Sequence, residues 1–404
     1  MLSAPSVWTV MIALLGTHLA GMGVFLTVPV LAPAIAAELG IQSSLAGVHT
    51  ALVYLGAMIS GPVAGAFIRR HGGIRVLQAG LILSAFGIAL AMIGQPWALV
   101  ASAIIAGLGH GPVTPSGSHL LAARTPARRR GLIFSLKQCG VPAGSMLIAA
   151  ITPPIAVAAG WRMGVTSVVA FLLLSALALQ PLRAALDADR EAGAAKGGLT
   201  QAWASAAASL GLLRRLPVLR RMTIMSALFG VSQFCFSTFF VVFQVSSLGV
   251  PLTEAGFRLA LAQAAGVVGR VLWGVVADRT GALPVFVGLG LGAAAAGLAL
   301  LLAGPDWPGL IIILSGMLMG VTAIGWNGVF LAEMARLAPA GQVGATTAAG
   351  GFVFGLCMLV APPFFSLLVQ MTGGYEAGFA LCVGTALIGA GLAWSVRESA
   401  LARP

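Results

Sequence analysis

Charge is what this chain carries least of. Charged residues make up 8% of its 404 positions and apolar ones 59%, against roughly 25% charged in an average soluble domain. A water-soluble fold cannot hide that much apolar surface, whereas a bilayer accepts it. Acid is scarcer still: 10 Asp and Glu stand against 22 Lys and Arg, and no carboxylate side chain occurs between Glu38 and Asp187. The first half therefore has no buried acid to offer. In the second half Glu254 falls at an outer helix end, and Asp278 and Glu333 at the opposite rim.

Other absences exclude whole classes of protein. The four cysteines, Cys139, Cys235, Cys357 and Cys382, stand alone in apolar runs, with neither zinc-site nor redox-pair spacing. They read as reduced core-filling thiols, and no metal or cofactor is expected. There is no His-Glu-x-x-His motif, no nucleophile–base cluster and no soluble signalling domain, so neither an enzyme nor a receptor is expected. Residues 1–5 carry no basic region and no small-residue cleavage site follows; the first helix, from near Val7, is expected to stay as an anchor.

What is present is a series of apolar blocks punctuated by Gly, Pro and charge. They predict spans near 8–33, 43–68, 75–94, 97–122, 131–158 and 162–182, then 222–247, 253–277, 282–303, 308–333, 343–370 and 377–396. Each is long enough to cross a bilayer, which takes about 20 residues. The expected fold is an all-α membrane protein of twelve transmembrane helices in two six-helix pseudo-symmetric halves. Residues 1–182 form the first half, 183–221 a cytoplasmic linker with a surface-lying helix around 199–213, and 222–404 the second half.

The net charge of +12 raises the question of a nucleic-acid partner. Position answers it, because 18 of the 22 basic residues fall beside helix ends or in the linker if the N-terminus is cytoplasmic. That is the positive-inside pattern of a multi-pass protein of a bacterial inner membrane, with both termini cytoplasmic. Lipid is the expected surrounding, and nucleic acid is not an expected partner.

An internal repeat is the strongest signal. At an offset of 209, Gly65 matches Gly274, Arg70 matches Arg279, Gly72 matches Gly281, Pro96 matches Pro305, Gly107 matches Gly316 and Gly111 matches Gly320. Pro153 and Pro154 then match Pro362 and Pro363. Six spans separate equivalent positions, so the halves share one orientation. Parallel repeats of this kind belong to a transporter architecture whose substrate site lies between the halves near the bilayer midplane.

The stretch Gly274-Val275-Val276-Ala277-Asp278-Arg279-Thr280-Gly281 resembles the G-x-x-x-D-R-x-G loop signature of the major facilitator superfamily. Its first-half counterpart keeps Gly65, Arg70 and Gly72 but has Arg69 where that family usually has Asp. The resemblance implies a cytoplasmic gate involving Gly274, Asp278, Arg279, Gly281, Gly65 and Arg70, with Glu333 at the same rim and the lock resting on Asp278. Gly107-x-Gly109-x-Gly111 resembles another family motif, with Ala103 in place of its usual Arg. The proton-linked mechanisms that go with that Arg are therefore not implied. Gly140-Val141-Pro142-Ala143-Gly144 is similar to the Gly-Pro motif of the fifth span, which lets that helix bend and pack closely. Arg270 four residues before Gly274 resembles the eighth span of monocarboxylate and oxalate/formate carriers, where the Arg meets the substrate carboxylate. Those monocarboxylate carriers usually place an Asp one turn earlier, where this chain has Gly266. Arg129-Arg130-x-Leu132 ahead of the fifth-span motif is a further partial match.

Ionisable groups inside a bilayer are costly and mark function. Arg270 and Lys137 are the two cations that fall within spans, and Arg holds a carboxylate through two parallel hydrogen bonds that Lys cannot match. His18 and His110 fall near mid-membrane, and Gln233, Gln263 and Asn327 offer neutral hydrogen-bonding groups, with Ser237 and Gln244 beside them. Trp326 reads as packing. The expected protein is a monomeric secondary carrier for a small organic anion, a carboxylate foremost, with Arg270, Lys137, His18, His110, Gln233, Gln263 and Asn327 as substrate-site candidates. A coupling proton is a further expected partner, since histidine titrates in the right range, and exchange or uniport accords equally with the missing acids. The alternative is a proton-driven exporter of hydrophobic drugs or metabolites, favoured by the fifth-span proline motif and disfavoured by the lack of a buried acid.

Overall fold

The computed structural model describes residues 5–122, 124–125, 133, 136–188, 190, 210–339 and 342–401, with the side chains of 343, 345 and 397–401 excepted. Among these residues there is no strand. Twelve helices are long and apolar enough to cross a membrane: α1 (Val7–Leu39), α2 (Ser43–Ser60), α3 (Gly73–Ile93), α4 (Pro96–Ala122), α5 (Leu136–Ala159), α6 (Trp161–Leu186), α7 (Pro217–Leu248), α8 (Leu252–Thr280), α9 (Ala282–Leu302), α10 (Gly309–Leu337), α11 (Thr346–Thr372) and α12 (Glu376–Val396). The expected surface helix at 199–213 and the Arg129-Arg130-x-Leu132 segment lie outside the described residues, apart from the end of the former.

Local chemistry explains the interruptions. α2 stops at Ser60 and a separate helix, Ala64–His71, follows a turn; Pro62 lacks the N–H the ladder needs and disfavours helical geometry at Gly61. At the repeat-equivalent position α8 has Val271, and it continues unbroken to Thr280. α4 breaks after His110 at Gly111 and Pro112. α10 contains a π turn at Gly320–Ile324. Gly72 and Gly281, equivalent in the repeat, both enter the next helix with φ near +88° and +85°, a region closed to side chains with a Cβ.

The repeat register changes along the chain. The offset of 209 holds for the bounds of α3 and α9, but α4 starts at Pro96 and α10 at Gly309, an offset of 213. The loop before α10, residues 303–308, is longer than residues 94–95 before α4. Packing follows the structural offset: a Cβ on Gly107 would strike the Val53 carbonyl, and one on Gly320 the Ala262 carbonyl. Gly320 thus does in the second copy what Gly107 does in the first, and the match of Gly111 to Gly320 read from sequence is one helical turn out.

Contacts divide the chain into two compact units, Met1–Gly40 with Leu52–Ala204, and Ile41–Ala51 with Ser205–Pro404. In the first unit, the far end of α1 is held by Glu38, which pairs with Arg162 at 2.7 Å and accepts from the Trp161 indole at 2.7 Å. In the second, Met222, Met225, Phe229, Phe286, Trp326 and Met334 form a buried core. The second unit includes the start of α2, where the Ser44 carbonyl accepts from Ser366 Oγ at 2.6 Å. Cys235 and Cys382, both fully buried, neighbour each other, so two of the four cysteines that stand alone in sequence meet in space.

Candidate functional site

In the second unit polar side chains on α7, α8 and α10 bond from helix to helix. Arg270 is 8% exposed, and its Nε donates to the Ile324 carbonyl at 3.3 Å. The Trp273 indole donates to the Val321 carbonyl at 2.9 Å. Both acceptors lie in the π turn of α10, whose widened backbone leaves carbonyls within reach of side-chain donors. α10 therefore holds the guanidinium through its Nε.

Gln233 on α7 accepts at Oε1 from the Trp326 indole at 3.0 Å and from Asn327 Nδ2 at 3.1 Å. An indole N–H can only donate, so it determines which end of the Gln233 amide it meets. The amide NH2 must then point the other way, and it makes no hydrogen bond among the described residues. One turn along α7, Ser237 accepts from Gln263 Nε2 at 3.2 Å, and Gln263 lies two turns before Arg270 on α8. These groups on α7, α8 and α10 include a cation, Arg270, and a neutral amide donor, Gln233. Such a set suits a carboxylate, which only accepts. Trp326 is buried in the core, as expected, but it also orients Gln233; nothing in the local sequence signals that bond, because the partners lie 93 residues apart.

In the first unit Lys137 is 1% exposed and its Nζ donates to Ser118 Oγ at 3.2 Å. It lies next to the start of the described part of α5. His18 Nδ1 donates to the Leu14 carbonyl at 2.9 Å, which leaves Nε2 as the lone-pair nitrogen of the neutral ring. Both head groups converge on Gly117, where a Cβ would lie 3.5 Å from Lys137 Nζ and 3.6 Å from His18 Cε1. His110 packs edge-to-face on Phe25 at 4.8 Å and fits over Gly21, one turn along α1 from His18. Its Nδ1 makes no hydrogen bond among the described residues.

The expected gating residues are dispersed. Asp278 and Arg279 are exposed and make no ion pair among the described residues. Gly274 and Gly281 meet nothing within 4 Å of an added Cβ, and at Gly65 only the tip of Arg69 comes near, at 3.9 Å. Arg70 is exposed. Glu333 pairs with Arg336 one turn away at 2.6 Å. No group of three or more His, Cys, Asp or Glu able to hold a metal occurs among the described residues.

Twelve apolar helices with buried polar groups aimed inward define a membrane transporter. Residues 13–362 match the sequence profile of the Major Facilitator Superfamily, and the chain belongs to that family. It is a multi-pass membrane transporter and not an enzyme. It is 27% identical over 399 residues to the protein of Cupriavidus necator named "Probable sulfoacetate transporter", covering 90% of this chain and 87% of the relative. It is also 27% identical over 382 residues to the gentisate transporter of Corynebacterium glutamicum, covering 90% and 81%. Among solved structures, the xylose transporter of E. coli in a partially occluded inward-open conformation superposes with a TM-score of 0.73 at 16% identity, over 96% of this chain and 97% of that one.

Proposed function

We propose that this protein carries a small organic acid, in its anionic carboxylate form, across a bacterial inner membrane by alternating access. The single observation that carries the reading is Arg270, a buried cation on α8 whose Nε donates to the Ile324 carbonyl of α10. A carboxylate is the ligand that a buried guanidinium pairs with best, through charge-assisted hydrogen bonds, and the Gln233 amide on α7 is a further donor of the same unit. Lys137 and His18 are further candidates in the first half, 1–182, which the linker 183–221 joins to the second, 222–404. The names of the relatives support the class, since sulfoacetate, gentisate and, in a shorter match, 4-hydroxybenzoate are all organic acids. The protein works as a monomer with both termini cytoplasmic. Counterflow of radiolabelled gentisate, 4-hydroxybenzoate and sulfoacetate into proteoliposomes tests the proposal. Counterflow of at least one is expected; its absence for all three, with export of hydrophobic drugs by cells, replaces this reading with the exporter.

A further inference from the structure

The end of the first unit that carries Gly72 holds a polar cavity unconnected with the substrate-site residues. On α6, Leu174 and Leu177 are 63% and 68% exposed, as expected of side chains turned to lipid. The same stripe continues through the exposed Pro181, Ala184 and Ala188. It runs into a cavity of about 610 Å³ lined by Gln180, Arg183, Ala184, Asp187, Ala188 and Arg190.

The acid in this lining is already committed. Asp187 is 1% exposed and accepts from the backbone amides of Ile74 at 2.8 Å and Arg75 at 3.0 Å, so the start of α3 answers its charge. The arginines have no such partner. Arg183 and Arg190 make no ion pair among the described residues, and the buried Nε of Arg183 makes no hydrogen bond there. Gln180 accepts at Oε1 from Gln78 at 2.9 Å, which leaves its NH2 to donate. Beside the cavity, Arg124 lies against the Ala185 carbonyl at 3.5 Å. The lining therefore offers two guanidinium groups and an amide donor, with its one carboxylate hydrogen-bonded to the start of α3.

We propose that this cavity binds the phosphate headgroup of an anionic glycerophospholipid, whose acyl chains lie along Leu174 and Leu177. Guanidinium forks match phosphate oxygens in pairs, and basic pockets at helix ends take anionic headgroups from the adjoining leaflet. A free phosphate would engage the same donors but leave the leucine stripe unused; the stripe is what selects a lipid.

The test uses the whole protein, purified in detergent and titrated with phosphatidylglycerol or phosphatidylcholine, with bound lipid counted by native mass spectrometry. Wild type should retain phosphatidylglycerol over phosphatidylcholine, with each arginine accounting for roughly a fivefold preference. Arg183→Gln/Arg190→Gln should bind the two lipids alike, while Arg220→Gln, at an exposed arginine of the second unit that is not in the cavity lining, should keep the preference. Should the double variant fail to fold, Arg183→Lys/Arg190→Lys retains the charge without the fork and should show an intermediate preference. Equal binding of both lipids by wild type, or an equal loss in Arg220→Gln, overturns the site. Thermal stabilisation by inorganic phosphate as large as that by phosphatidylglycerol overturns the lipid as its ligand.

Discussion

The Trp326 indole N–H and the Gln233 amide oxygen meet at 3.0 Å inside the second unit, with the indole only 1% exposed. That bond determines which face of Gln233 is left for a ligand. Trp326→Phe keeps the ring in the core and removes the donor-only partner, leaving Gln233 held by Asn327, whose own amide can flip with it. Losing one neutral hydrogen bond costs about 0.5–1.5 kcal/mol, and the KM for the transported anion should rise by roughly 2–10-fold on that scale. Uptake kinetics in proteoliposomes measure it; an unchanged KM would reduce Trp326 to packing alone.

Arg270→Lys keeps the positive charge and loses the planar fork. Affinity for the anion should fall by roughly 1–3 kcal/mol, the range for charged hydrogen bonds. Arg270→Gln should abolish anion-induced thermal stabilisation while the protein still inserts. Lys137→Gln should weaken binding less, because water replaces a flexible ammonium more readily than a fixed guanidinium. If Arg270→Gln transports like wild type, Arg270 belongs to the gate.

Asp278 has no partner among the described residues, so Asp278→Asn should change thermal stability by less than about 0.5 kcal/mol, as surface substitutions do. Its effect should appear in transport, where a charge-assisted acceptor is needed in another state of the cycle. Cysteine accessibility measured from both sides should shift more for Asp278→Asn than for Arg69→Ala. Equal shifts would mean that the two copies share the gate.

Two glycines separate packing from motif. Gly320→Ala drives a methyl into the Ala262 carbonyl, and overpacking of this kind costs about 1–3 kcal/mol or more. Gly274→Ala places its methyl in open space and should be neutral, or stabilising by up to about 1 kcal/mol through helix propensity. Thermal denaturation of the purified variants in detergent should rank them so; the reverse order would contradict the packing of α8 on α10.

Reporter fusions at Arg130, Ala195 and Arg403 should read cytoplasmic, and those at Gln42, Asp306 and Gly374 periplasmic. The expectation rests on the 18 of 22 basic residues that the proposed orientation puts inside. A periplasmic signal at Ala195 would reverse the topology.

Much of the fold was legible because its causes are local. Apolar length locates the twelve spans, and Gly72 and Gly281 mark entries that only glycine permits, but the second span, expected to run to 68, stops at Ser60 ahead of Pro62. Elsewhere the cause of a shortfall lay far along the chain. The first span was expected to end at 33, but α1 runs to Leu39, because Glu38 meets Trp161 and Arg162 from α6. A carboxylate looks like the end of a span until its partners, more than a hundred residues away, are known.

The sequence by itself determined the solvent, the number of helices, the family signature and the residue types available for binding an anion. These follow from hydropathy, from charge count and from the backbone needs of Gly and Pro, all of which act over a few residues. Only the tertiary structure decided which end of Gln233 is presented, which carbonyls hold Arg270, and that Gly320 rather than Gly316 takes the place of Gly107. Each of these depends on hydrogen bonds or contacts between helices, and on how a few extra loop residues reset the register with which one helix meets the next.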